Sequence, residues 1–284
     1  IHSRQADIVR YLVSQNHSKA TGALHQAVDT AEVCRLLMEA GYDLNGTDLA
    51  GDSVLSCAVG YPGASADTVR FLLAAGADVR QANPRNGMTP LHCTAWYHGV
   101  DKAEIIRLLV EAGADMEARD AQGDTPLMHA VRYRNYPAAK ALLELGADKT
   151  VTDEYGTTLL MKAVLGGSLP VTALLLDAGA DVNAVNKHGR TALMLAAKQG
   201  GDRADITGLL IERGAALDMK DEEGKTALIY AAENNDGELG PLAVLLAAGA
   251  DTEAATPDGR TAADRISAWK RILAPALIES YRKR

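Results

Sequence analysis

Aromatic residues are scarce in this chain. Only 4% of its 284 residues are Phe, Trp or Tyr, with one Phe and two Trp. Strands favour aromatic and β-branched side chains, so the scarcity argues against a β-sandwich. Cysteine is scarce too. Cys34, Cys57 and Cys93 form neither a disulfide framework nor a zinc-ligand spacing. No apolar run approaches the ~18–20 residues that cross a bilayer, so membrane insertion is not expected. There is no basic block, and the formal net charge is −8. A nucleic-acid partner calls for a Lys/Arg footprint, so none is expected. Ile1 opens the chain without Met or a signal peptide, in residues that already read as mid-structure. This suggests a trimmed or processed chain. A cytoplasmic location is favoured, with a secreted or periplasmic one as the alternative.

Apolar residues make up 47% of the chain. A core of that size without aromatics must be built from Ala, Leu and Val, which suits small, close-packed helices. A repeat organises them. "GAD" or a close variant starts at Gly41, Gly76, Gly113, Gly146, Gly179, Gly214 and Gly249, at intervals of 33 to 37 residues. A second landmark, "TPLH" or a variant, starts at Gly22, Ser53, Thr89, Thr125, Thr158, Thr191, Thr226 and Thr261. An apolar pair such as Leu108-Leu109 or Leu174-Leu175 precedes each "GAD" at constant offset.

Each unit has a physical reading. A Gly two residues before the Thr position, such as Gly87 or Gly123, permits a tight turn. The Thr caps a first helix, and Pro90 and Pro126 take its first position, where proline costs no hydrogen bond. Ala-rich stretches such as Ala196-Ala197 allow close helix approach. A second helix carries the apolar pair. Pro137, Pro170 and Pro241 fall near its start, and the "GAD" Gly ends it with a left-handed cap.

Units such as "DAQGDTPLMHA", "NKHGRTALMLAA" and "DEEGKTALIYAA" resemble the ankyrin repeat, over about 95% of the chain. The resemblance implies an all-α ankyrin-repeat solenoid of helix–turn–helix units with β-hairpin-like fingers, about seven of them full. It implies one domain over residues 1–284, with a partial repeat at 1–20, full repeats at 21–255 and a cap at 256–284. "SRQADIVRYLVSQN" reads as a second helix lacking its first, and "DGRTAADRI" as a first helix opening the cap. The implied function is recognition of another protein, as a scaffold or adaptor and as a monomer when unbound. The alternatives are an inhibitor or immunity protein that neutralises an enzyme or toxin, and the targeting module of a larger effector.

The repeats differ where function is expected. The stretch from "T" to the next "GAD" is longest in the unit at 89–113, at 24 residues. The finger leading into that unit, from Gly76 to Thr89, is 13 residues long where every other is 12. The same unit holds Trp96, Tyr97 and His98. The family's binding surface is concave, built from finger tips and the exposed side of the first helix. Carried over, it includes Tyr61, Arg85, Asn86, Met88, Trp96, Tyr97, Gln122, Asp124, Arg132, Tyr133, Tyr155, Lys187, His188, Arg190, Glu233 and Asn234. Tyr, Trp and Arg are common interface anchors. Trp96 and Tyr97 can also be read as filling the space left by the longer link.

Chemistry is set aside. His92 and His25 hold the "TPLH" position, which in this family braces neighbouring fingers, so a Cys93–His pair is not read as catalytic. His92, Cys93 and His98 match no metal-ligand spacing, and no cofactor or metal is expected. Asp120, Asp153 and Asp221 are read as turn caps rather than calcium ligands. Cys57 and Cys93 stand at equivalent positions in adjacent repeats. Stacked helices lie ~8–10 Å apart, beyond the ~7 Å Cα limit of a disulfide, so both are expected to be reduced. The chain is not read as an enzyme.

Overall fold

The computed structural model describes residues 34–35, 38–39, 43–60, 65–96, 102–199, 203–234 and 239–266. Within these residues the chain is all-α. The fingers contribute only isolated bridges, such as Thr152 with Thr158. The chain forms two compact units, divided between Asp148 and Lys149.

The first unit contains α1 (Val54–Gly60), α2 (Ala66–Ala74), α3 (Pro90–Cys93), α4 (Lys102–Glu111), α5 (Pro126–Arg132) and α6 (Tyr136–Glu144). First helices α1, α3 and α5 stack in order, and second helices α2, α4 and α6 form a parallel layer. The second unit contains α7 (Leu159–Gly166), α8 (Leu169–Asp177), α9 (Ala192–Lys198), α10 (Ala204–Glu212), α11 (Ala227–Glu233) and α12 (Gly240–Ala247). Here α7, α9 and α11 make one layer and α8, α10 and α12 the other.

The ends of these short helices are set by side chains. Thr125, Thr158, Thr191 and Thr226 accept the backbone N–H three residues on, as expected of N-caps. Asn135 and Ser168 cap α6 and α8, followed by Pro137 and Pro170 in the first turn. At the far end of α2, Gly76 has φ +94°, and Ala77 N–H reaches Leu72 O at 3.0 Å. This is a Schellman cap, and a side chain would strain it.

First helices are buried almost all round, because they pack on neighbouring first helices of their own unit and on the second-helix layer. Ala192 through Ala197 of α9 and Ala227 through Ala232 of α11 are buried. Second helices bury one stripe, such as Ile105, Ile106 and Leu109 of α4. Each buried Leu or Ile contributes about 1.5–3 kcal/mol.

Adjacent fingers hydrogen-bond edge to edge. Ala121 N–H donates to Asn86 O at 2.8 Å, and Lys187 N–H to Tyr155 O at 3.0 Å. This approach requires Gly87, which has φ +73°. A Cβ there would lie 2.9 Å from Ala121 N. His92 provides the expected brace. Its Nδ1 accepts from Thr89 N–H at 3.1 Å, and its Nε2 donates to Asp124 O in the next finger at 3.1 Å.

One terminal expectation changes. The helix expected to open at Thr261 is a single 3-10 turn, Ala263–Arg265, and the chain is extended at Ile266. Asp264 accepts from both the backbone N–H and the hydroxyl of Thr261, and Arg265 is drawn to Glu233 and Asp258. The partial repeat at 1–20 lies outside the described residues.

Candidate partner-binding surface

Tyr61, Tyr97, His25 and His98 lie outside the described residues. The other residues expected at the binding surface divide by burial. Arg85 and Gln122 are exposed at finger tips, and Asn86 is half-buried. Asn86 Oδ1 accepts Met88 N–H at 3.0 Å, so it holds its own turn. Met88 and Asp124 are 6% and 2% exposed, which corrects their expected place on the surface. Both stand one residue before the Thr position, where the side chain folds against the first helix. Asp124 is ion-paired with Arg132, and that pair leaves half of the Arg132 side chain exposed. Trp96 is half-buried at the end of α3, and a Cβ on Gly60 would lie 3.6 Å from its ring.

Tyr133 at the end of α5 is 44% exposed. Its ring lies 5.9 Å from His129, which meets His92 edge-on at 5.3 Å. The tyrosine is thus held from below while one side faces solvent. Arg134 follows at φ +56°, the one non-glycine residue with positive φ among the described residues. Asn135 is fully buried, and its Nδ2 donates to Ala95 O at 3.1 Å. The loop is therefore pinned while Tyr133, Arg134 and Tyr136 stay exposed.

In the second unit, Tyr155 is 58% exposed at a finger tip. Lys187 and His188 are exposed at the next tip, with His188 Nδ1 3.8 Å from Glu222. Arg190 is half-buried. It meets Tyr230 Oη at 2.9 Å, Glu223 at 2.9 Å and Asp221 at 3.4 Å. Glu233 and Asn234 are half-buried, and Asn234 Nδ2 donates to Gln199 O at 2.9 Å. Arg190, Lys225, Tyr230, Glu233 and Asn234 line a cleft of about 290 Å³ together with Lys198. Sequence reasoning passed over Lys198, although it directly follows Ala196-Ala197, as Glu233 follows Ala231-Ala232.

Burial pushes the Cys57 and Cys93 thiols up to about 12, so neither is a thiolate at neutral pH. Both are free thiols. Burial also lowers the pKa of His92, against the Asp124 carbonyl hydrogen bond that raises it. Among the described residues, two donor groups converge within reach of a cation, Asp48/Asp52/Cys57 and Asp120/Asp124/His129. Their atoms are committed elsewhere. Asp120 accepts Gln122 and Asp124 N–H on one oxygen and His129 Nε2 on the other, and Asp124 holds Arg132. In the first group the Cys57 proton is retained.

The family model described as ankyrin repeats (3 copies) matches residues 55–153 and 146–221, more than half of the chain. The chain belongs to the ankyrin repeat family. Ankyrin repeats generally mediate protein–protein interaction, and the fold is a non-catalytic interaction module. The chain is 38% identical over 111 residues to the B-cell lymphoma 3 protein homolog of Mus musculus, covering 38% of this chain and 23% of that protein. It is 29% identical over 135 residues to tyrosine-protein kinase HTK16 of Hydra vulgaris, covering 46% of this chain and 17% of the kinase. The chain therefore spans less than a quarter of the length of these curated relatives. Among solved structures, the ankyrin repeat domain of human ASB11 matches at TM-score 0.69 and 22% identity, over 81% of this chain and 98% of that one. The ankyrin repeat domain of Bcl-3 matches at TM-score 0.66 and 27% identity, over 82% and 99% respectively.

Proposed function

We propose that this ankyrin chain is a scaffold or adaptor that binds a partner protein through finger tips and the exposed ends of first helices. The repeat register runs unbroken in the sequence from Gly76 to Gly249, which supports reading residues 1–284 as one repeat domain. The observation that carries the functional reading is Tyr133. It is a large aromatic side chain, exposed beside Arg132 and supported from below by His129. Such a group offers contact area with little rotamer freedom left to lose on binding.

The test is affinity capture with mass spectrometry, comparing wild type with Tyr133→Ala and Arg132→Ala. Partners retained by wild type should be lost or at least tenfold depleted with Tyr133→Ala, while helical circular dichroism and Tm stay close to wild type. Equal capture by both variants would remove this face from the proposal.

A further inference from the structure

We propose that the cleft beside Tyr230 receives a carboxylate side chain of the partner protein, with Lys198 as the cation that meets it. This rests on the partner-binding reading above and specifies the chemistry of one contact within it.

The argument comes from a register that recurs in the repeats. In two units the residue before the Thr position and the residue seven after it form an ion pair. Asp124 and Arg132 are an ion pair. Lys225 and Glu233 are another, at 2.9 Å. Met88 and Trp96 stand at the same two places and are both apolar. In the unit of Thr191 the two residues are Arg190 and Lys198, which are both cations and cannot pair.

Arg190 escapes the conflict by turning to the next finger, where it meets Asp221, Glu223 and the Tyr230 hydroxyl. Lys198 meets no carboxylate among the described residues. Its Nζ lies 5.5 Å from the centroid of the Tyr230 ring, with Lys225 Nζ at 5.4 Å and the Arg190 guanidinium at 5.7 Å from the same ring. The acids of the cleft are already engaged. Glu223 lies between Arg190 at 2.9 Å and Lys225 at 3.1 Å. Glu233 lies between Lys225 and Arg265, each at 2.9 Å. One cation is therefore left over on an aromatic floor, at the edge of a space large enough for one or two side chains. An incoming Asp or Glu would gain a charge-assisted hydrogen bond there. A basic side chain would meet three cations.

The test uses the full chain and a defined probe. An acetylated, amidated 12-residue peptide of alternating Glu and Gly is titrated by NMR, with its Gln–Gly counterpart as control. The Glu peptide should shift the Tyr230 ring and Lys198 resonances and bind at least tenfold more tightly than the Gln peptide. Lys198→Gln should weaken it at least fivefold at unchanged Tm, and Lys198→Arg should restore it. Equal binding of the two peptides, or wild-type affinity in Lys198→Gln, overturns the proposal. The two readings fail separately. A captured partner that depends on Tyr133 but ignores Lys198→Glu overturns this inference alone. A Glu peptide seated at Lys198, with capture indifferent to Tyr133→Ala and Arg132→Ala, overturns the Tyr133 face alone.

Discussion

The Tyr230 hydroxyl donates to Asp221 Oδ2 at 2.5 Å, across nine residues of chain. The same nine-residue link recurs from His129 to Asp120 at 2.7 Å, from Lys162 to Asp153 at 2.8 Å and from the Cys57 thiol to Asp48 at 3.9 Å. In each unit the other carboxylate oxygen accepts two backbone N–H groups of the finger turn, as Asp221 Oδ1 does from Glu223 and Lys225. One carboxylate thus shapes the finger and ties it to the first helix. Where Asn186 replaces the aspartate, it still holds the turn, and the residue nine later is Leu195, which asks for no partner.

This link sets an acid sensitivity. Burial pushes the Asp221 carboxyl up, but hydrogen bonds from Tyr230, from the backbone N–H groups of Lys225 and Glu223, and from Arg190 bring it below the usual carboxylate range. A pKa lower in the folded than in the unfolded state contributes stability that is fully present above about pH 4. That stability is lost as pH falls through the folded value. Asp221→Asn should cost about 1–3 kcal/mol at pH 7 in urea unfolding. The gap to wild type should narrow steadily below pH 4. A gap independent of pH would show that the charge of Asp221 is irrelevant.

Lys102 predicts a dependence at the other end of the scale. It is 1% exposed at the start of α4, and its Nζ donates to Val59 O at 2.5 Å. Burial lowers its pKa from 10.5 to about 8, with Cys93 opposing. Between these values the unfolded chain binds the proton and the folded chain releases it, so this group's contribution to stability rises with pH. Lys102→Met should therefore gain stability relative to wild type at pH 7, by up to about 3 kcal/mol. That advantage should shrink as pH rises. Above pH 9 the raised thiols of Cys57 and Cys93 act in the opposite sense, and Cys93 not equally in the two proteins because Lys102 lowers its pKa, so the comparison rests on the range from pH 7 to 9. Chemical denaturation across that range checks the difference.

Arg134 sits where the following unit places Gly167, in the left-handed region at φ +56° against +71° for the glycine. A residue with a Cβ is strained there by about 1–2 kcal/mol. Arg134→Gly should raise stability by about 1 kcal/mol once the entropy of the freer unfolded chain is counted. The Tm, followed by circular dichroism, should rise by a few degrees. A fall would mean that the guanidinium makes a contact worth more than the strain.

Much of this molecule is readable in its repeat. The positions of Thr, Pro and Gly announced the caps, the first-turn prolines and the Schellman ends, because those features depend on residues within one or two turns of each other. Asp120, Asp153 and Asp221 were legible as turn caps for the same reason. Their second oxygen was not. Its partner stands nine residues away with a different side chain in each unit, His129, Lys162 or Tyr230, so no motif marks it.

The binding residues divide in the same way. Register alone put Tyr133, Tyr155 and His188 at exposed positions. It also put Met88 and Asp124 there, and only packing showed them folded inward, since one finger position can carry either a tip or a strut.

The sequence by itself determined the class of fold, the length of the unit and the family, because periodic apolar and turn positions encode helices and their ends locally. Tertiary structure decided which charges are spent. Arg190 and Lys198 look alike in the sequence. Packing of the next finger gives Arg190 three partners and leaves Lys198 over the Tyr230 ring, because electrostatic pairing depends on distances between repeats that no single repeat contains.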